Sequence, residues 1–230
     1  MARLPRRLVA LAVLTPACLL FAALPASAAS TRVLHYTGAL SGKTVPDKSG
    51  FGNRGTAHDI SLRGGAYSFN GASSYIQTPA SSTVNPGFAA FSYSVTIKLP
   101  TTAFSHDLSL VRRGSWKFAG PYYKMEMVYK KATGNMRLVC ALRDAGGAHA
   151  TVSTSGNALN DGKWHTLTCS KTAKTISLTN DGHVHTKSAT LGDLSSKRPL
   201  NFGAEQLGPK SFWEHFPGLM DKIVLTKRMS

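Results

Sequence analysis

Asn160-Asp-Gly-Lys-Trp-His-Thr-Leu-Thr-Cys-Ser-Lys-Thr-Ala-Lys-Thr-Ile-Ser-Leu-Thr-Asn-Asp-Gly182 opens and closes on the same tripeptide, Asn-Asp-Gly. Asp-Gly supplies the positive-φ positions that tight hairpin turns require, so each copy marks the end of one strand and the start of the next. Two alternating runs lie between them. In the first, His165, Leu167 and Cys169 share one side while Trp164, Thr166, Thr168 and Ser170 share the other; in the second, Ile176 and Leu178 alternate with Ser177 and Thr179. Lys171 to Lys174 forms the polar turn. A lone hairpin is marginal in water, so this one belongs to a larger antiparallel sheet.

Outward from this hairpin, the chain after Thr31 carries no long segment of helical periodicity. Alternating runs broken by turn residues occupy Thr31 to Tyr36, Ala66 to Phe69, Ser74 to Gln77, Ala90 to Leu99, Leu108 to Arg112, Tyr123 to Tyr129, Met136 to Leu142, His149 to Thr154, Leu200 to Gly203 and Leu219 to Thr226. Short strands at this spacing indicate a β-sandwich or barrel. Ser41 to His58, rich in Gly, Asn, Asp and Ser, reads as a long structured loop rather than a strand. No internal repeat or low-complexity linker divides the chain, and one domain over residues 29–230 is the simplest account.

The first 28 residues read differently. Arg3, Arg6 and Arg7 precede an apolar run from Leu8 to Leu24, and Ala26-Ser27-Ala28 has the small-residue pattern of a cleavage site, so 1–28 is predicted to be a secretory signal peptide and the protein to be secreted. Removing those three arginines from a net charge of +16 leaves +13. No other apolar run approaches the ~20 residues of a membrane span. The basic residues fall in scattered pairs, Arg112-Arg113, Lys130-Lys131, Lys197-Arg198 and Lys227-Arg228, which reads as a solvated basic surface that could also attract an anionic extracellular polymer. Without a compact basic run or interleaved aromatics, nucleic acid is not the expected partner. A monomer is the expected state.

With Cys18 discarded in the leader, Cys140 and Cys169 remain. Export to an oxidising compartment makes a disulfide between them the expectation, and two buried free thiols the alternative.

Several stretches resemble laminin G-like domains of the concanavalin A-like jelly-roll type. Beside the central hairpin these are Asp47-Lys-Ser-Gly-Phe-Gly-Asn-Arg-Gly-Thr56, Ala66-Tyr-Ser-Phe-Asn-Gly-Ala-Ser-Ser-Tyr-Ile76, Phe91 to Leu99, Asp107-Leu-Ser-Leu-Val-Arg-Arg-Gly114 and Gly218-Leu-Met-Asp-Lys-Ile-Val-Leu225. The resemblance implies an all-β fold, an antiparallel β-sandwich, over nearly all of the chain beyond the leader, and the cysteine pair is similar to that of secreted bacterial members. It also implies a calcium site, in which Asp47 and Asn53 of the early loop face Asp221 of the last strand. The reading of the residues alone is that Asp47 and Asn53 shape turns through their own backbone.

The fold hosts both lectins and glycosidases, so function has to be argued from residues. A retaining glycosidase of this fold needs two carboxylates close together, commonly as Glu-x-Asp-x-x-Glu on one strand, so that alternation aims them into the same groove. The only glutamates are Glu126, Glu205 and Glu214, none with an acidic neighbour at such spacing, and Glu126 reads as a solvent-facing strand residue. No Gly-x-Ser-x-Gly elbow is present. His165 reads as a partly buried structural histidine with Trp164 as a packing anchor, and His183 with His185 as surface residues rather than a zinc pair. Trp116, Tyr122, Tyr123, Phe212 and Trp213, in Gly- and Pro-rich surroundings, are the candidates for stacking on a sugar. The expected function is therefore non-catalytic recognition of a carbohydrate or other extracellular polymer. The alternatives are a polysaccharide hydrolase or lyase, which requires carboxylates converging in one groove, and an adhesive protein-binding module.

Overall fold

The computed structural model describes residues 29–102, 104–154, 159–208 and 210–229. The stretch assigned above to a signal peptide lies outside the described residues. Within them every regular element is a strand. In chain order the first nine are β1 (Ser30–Tyr36), β2 (Thr44–Val45), β3 (Gly55–His58), β4 (Ser61–Arg63), β5 (Ala66–Asn70), β6 (Tyr75–Thr78), β7 (Phe91–Lys98), β8 (Leu108–Arg113) and β9 (Tyr122–Lys130). The rest are β10 (Asn135–Arg143), β11 (His149–Ser153), β12 (Trp164–Lys171), β13 (Thr175–Asn180), β14 (His183–Ser188), β15 (Leu200–Phe202), β16 (Glu205–Gly208), β17 (Ser211–Trp213) and β18 (Pro217–Arg228). No described helix is long and apolar enough to cross a membrane.

Two eight-stranded antiparallel sheets face each other. One runs β14-β13-β12-β7-β18-β5-β4 with β1 also paired to β18; the other runs β11-β10-β9-β8-β15-β6-β3-β2. The period-two pattern decides which side chains fill the space between them. On β7, Phe91, Tyr93, Val95 and Ile97 are buried while Ser92, Ser94, Thr96 and Lys98 look outward. On β12 and β13 the inward set is Leu167, Cys169, Ile176 and Leu178. Cys140 of β10 is disulfide-bonded to Cys169 of β12, with Cα atoms 5.8 Å apart, so the bridge joins the two sheets through the core.

The second Asn-Asp-Gly does what its sequence predicts: Asp181 and Gly182 both adopt positive φ, 47° and 86°, and turn β13 into β14. Ser41 to His58 is less of a loop than its composition suggests. It contains β2 and β3, which pair with each other and extend the second sheet past β6. β16 and β17 form a separate hairpin that packs on the outer face of the second sheet as a small third layer. Gly203 starts it, at φ 82°, where a Cβ would lie 2.3 Å from the Phe69 ring.

Candidate functional site

Strand register dictates the outer face of the second sheet. Arg112 sits beside Lys124 and Asn201, Ser109 beside Glu126, Asn201 beside Gln77, and Tyr75 beside His58. Over this polar strip lies the β16–β17 hairpin. The Gln206 amide oxygen accepts from Gln77 Nε2 at 3.3 Å and Asn201 Nδ2 at 3.5 Å, and Gln77 Nε2 also donates to Asn201 Oδ1 at 3.0 Å.

All three glutamates converge here on one guanidinium. Arg112 Nη1 donates to Glu205 Oε1 at 2.7 Å, and Nη2 donates to Glu214 Oε2 at 2.7 Å and to Glu126, which also pairs with Lys124. Arg112, Glu126 and Glu205 are buried; the Glu214 side chain keeps 22% exposure. Burial drives the Glu214 carboxyl up to about 7; Arg112 opposes that rise, while Glu205 and Glu126 add to it. Glu126 is thus no solvent-facing strand residue, and the Arg112-Arg113 pair is no surface patch. Arg113 is equally sealed, donating to the carbonyls of Val84 and Ser196.

A pocket of about 390 Å³ opens where the hairpin meets β3 and β6, bounded by His58, Asp59, Ser73, Tyr75, Lys210, Phe212 and His215. Its wall is a stack of three rings. Tyr75 lies between His58, with centroids 4.2 Å apart, and Phe212 at 3.9 Å, with interplanar angles of 12° and 17°. Asp59 holds φ 48°, an uncommon left-handed conformation for a residue other than glycine. Burial and the neighbouring Lys43 hold the His58 imidazole below its ordinary pKa, so the ring favours its neutral form. Both faces of Tyr75 are covered by its neighbours, so the faces left for a ligand are the outer ones of His58 and Phe212. An aromatic face beside a carboxylate, a hydroxyl and an amine engages a sugar's C–H face and its hydroxyls. A larger cavity, about 580 Å³ between Arg63, Lys98, Pro100 and Pro217 on the other sheet, has an apolar floor of Leu99, Leu219 and the buried Phe69 and lacks an exposed ring stack.

The aromatic candidates from sequence do not act alike. Trp213, on the hairpin, is 60% exposed, and Trp116, in the β8–β9 loop, is 58% exposed. Tyr122 is half-buried with the Arg143 guanidinium 4.8 Å over its ring, so that face is taken. Tyr123 is corrected: its side chain points between the sheets, fully buried against Phe91 and Tyr93, and is no surface ligand group. Strand alternation explains the split, since adjacent residues of β9 face opposite ways. Trp164, expected as a packing anchor, is 44% exposed on the solvent side of β12.

The calcium set does not fit a cation. Asp47 Oδ1 accepts from His35 N and Ser49 N at 2.9 Å each, and Oδ2 accepts from Ser49 Oγ at 2.7 Å and Asn53 N at 2.8 Å. Those four bonds fill the carboxylate's lone-pair positions. Asn53 Oδ1 likewise accepts from Ser81 Oγ at 2.7 Å and Thr83 Oγ1 at 2.9 Å, while its amide donates to Val33 O at 2.6 Å. Asp47 and Asp221 do come near one another's surroundings, since both act on His35. Yet no three His, Cys, Asp or Glu side chains form a metal cluster among the described residues. Asp47 and Asn53 are the hydrogen-bonded framework of the early loop.

A family model described as the concanavalin A-like lectin/glucanases superfamily matches residues 70–229. The chain belongs to this superfamily. Among solved structures, members of similar fold include the binding domain of Paraclostridial Mosquitocidal Protein 1, with TM-score 0.66, 16% identity, and 87% of this chain and 49% of that one covered. The botulinum neurotoxin serotype D ligand-binding domain, in complex with N-acetylneuraminic acid, gives TM-score 0.62 and 13% identity over 87% of this chain and 48% of that one. Domain 4 of AbnA, a GH43 extracellular arabinanase from Geobacillus stearothermophilus, in complex with arabinotriose, gives 0.58 and 18% over 86% and 93%. At these identities the likeness is one of fold, and the chain spans about half the length of the toxin domains. No curated protein sequence matches it.

The sequence reading missed the carboxylate cluster and the ring stack. Glu205 and Glu214 are distant in sequence from Glu126, and only the fold-back of β16–β17 unites them. A local signal existed in the hairpin itself: the turn-forming pair Gly208-Pro209 separates Glu205-Gln-Leu207 from Ser211-Phe-Trp213.

Proposed function

We propose that this chain is a secreted, non-catalytic glycan-recognition domain whose ligand seats in the pocket between the β16–β17 hairpin and the β3–β6 edge. The observation that carries this reading is the stacked wall of His58, Tyr75 and Phe212 facing Asp59, Ser73 and Lys210 in a cavity of small-ligand size. Sugar complexes of two proteins of similar fold, with N-acetylneuraminic acid and with arabinotriose, support the class of ligand. Trp213 on the same hairpin is a further ring open to solvent. A panel of neutral and anionic polysaccharides, tested at low and high salt, checks the reading. Selective binding that persists at high salt and is lost in Phe212→Ala supports it; binding that fades equally for every anionic polymer as salt rises reduces the interaction to net charge.

A second reading has one observation in its favour. Glu126 and Glu214 take the same Arg112 nitrogen, so two carboxylates are as close as a retaining glycosidase requires. Hydrolysis is the weaker reading because Glu126 and Glu205 are sealed under the hairpin and neutralised by Arg112. Release of reducing ends from any bound polysaccharide, abolished by Glu126→Gln, would revive it.

A further inference from the structure

We propose that the β16–β17 hairpin is a pH-responsive lid, latched to the second sheet by Arg112 through Glu205 and Glu214 and released as the medium turns alkaline. The consequence for ligand binding rests on the glycan-pocket reading above; the latch itself does not.

Charge balance comes first. The groups facing the latch are Arg112 from β8, Tyr122, Lys124 and Glu126 from β9, and Glu205 and Glu214 from the hairpin and its exit. β6 and β15 contribute only the uncharged Gln77 and Asn201. With every carboxyl ionised, three negative charges meet two positive ones in a largely buried site. Removing one proton too many therefore leaves an unbalanced buried charge, which the site resists. Glu214 is the group that holds the extra proton, because it only shares Arg112 Nη2 with Glu126, whereas Glu126 also pairs with Lys124 and Glu205 has Nη1 to itself. Its raised pKa, about 7, agrees with that bookkeeping.

Geometry then makes the proton a lid control. Glu205 and Glu214 bracket the hairpin, and Glu214 is held at φ 54°, in the left-handed region, with its carbonyl accepting from Ser109 N at 2.8 Å. The same hairpin carries Lys210 and Phe212 into the pocket. In the docked state Glu214 keeps its proton to about neutral pH; undocked, in water, it has the ordinary carboxylic pKa. Docking thus takes up a proton between those limits. It is complete at acidic pH and weakens as pH rises through about 7.

Trp213 reports the motion directly. In a Trp116→Phe/Trp164→Phe background, its emission should change sigmoidally between pH 5 and 9 with a midpoint near neutral, and Glu214→Gln, which mimics the protonated acid, should abolish the change. In the unaltered protein, amide exchange at Glu205, Gln206 and Trp213, relative to the unstructured rate, should accelerate at least roughly tenfold from pH 5.5 to 8.5, the factor carried by one pKa unit. A flat profile in the parent protein, or an unchanged transition in Glu214→Gln, overturns the lid; the second outcome would assign the titration to a group outside the latch. A Trp213 transition without glycan binding at any pH removes the glycan reading alone. Binding with no transition removes the lid alone.

Discussion

Arg112 Nη1 and Glu205 Oε1 lie 2.7 Å apart with side-chain exposures of 1% and 2%, although one belongs to a sheet strand and the other to the hairpin packed over it. A buried pair of this kind gains little over apolar packing, but breaking it exposes the full cost of the stranded charge. Arg112→Met leaves three carboxylates with only Lys124 for compensation. Urea unfolding should show a loss of about 3–5 kcal/mol. Arg112→Lys should recover only part of it, since an ammonium cannot reproduce the forked contacts. A loss below about 1 kcal/mol for Arg112→Met would mean that the hairpin is held by Phe212 and Gln206 instead.

The Cys140–Cys169 bridge spans 29 residues of chain and ties the two sheets. On the chain-entropy account such a loop contributes about 3–4 kcal/mol. Both Cys→Ala in one chain should therefore lower the urea midpoint by that equivalent while leaving the β-sheet circular dichroism spectrum unchanged. An unaltered midpoint would place the two sheets' cohesion in their apolar contacts alone.

Asp47 organises the early loop with four accepted hydrogen bonds. Truncation to Ala strands the N–H groups of His35, Ser49 and Asn53, a cost of about 2–3 kcal/mol. Calcium or a chelator should leave the melting temperature of the parent protein unmoved. A rise of several degrees with millimolar calcium would restore the ion site that the family resemblance implies.

His165 is clamped between Asp181, 2.6 Å from Nδ1, and Asp161, 2.9 Å from Nε2. Two acceptors on one ring call for two ring protons, the imidazolium. Burial pulls its pKa down, and the hydrogen bonds to Asp181 and Asp161 more than reverse that, so the net shift is upward. The stabilisation is full below the ordinary histidine value of about 6.5 and is lost as pH rises through the higher folded value. Glu214 acts in the same direction. Stability should accordingly fall from pH 6 to pH 8.5. An NMR titration should place the His165 midpoint above 6.5, and Asp181→Asn should bring it down; a midpoint at or below 6.5 contradicts the clamp.

The parts of this fold governed by local rules were legible in the chain. Alternation in Phe91 to Lys98 and in Trp164 to Asn180 assigns inward and outward faces, and Asp181-Gly182 specifies its turn. Cys140 and Cys169 pair, as expected of two cysteines left in an exported chain. Long-range packing was not legible. Nothing near Arg112 in sequence indicates that a hairpin 93 residues later will bury it. For the same reason Arg112-Arg113 passed for surface charge, and Glu126 for a solvated strand residue. Tyr123 failed for a local reason: in Tyr122-Tyr123 only the phase of the alternation, fixed by neighbouring strands, decides which ring enters the core.

The most direct test of the glycan-pocket account is amide chemical-shift mapping on the labelled protein, titrated with an oligosaccharide of whichever polysaccharide binds at high salt. The account predicts that the shifts cluster at His58, Asp59, Ser73, Tyr75, Lys210, Phe212 and His215, with a smaller response at Trp213. Perturbations gathered instead on the Ser- and Thr-rich outer face of β7, β12 and β13, with the hairpin silent, would contradict it.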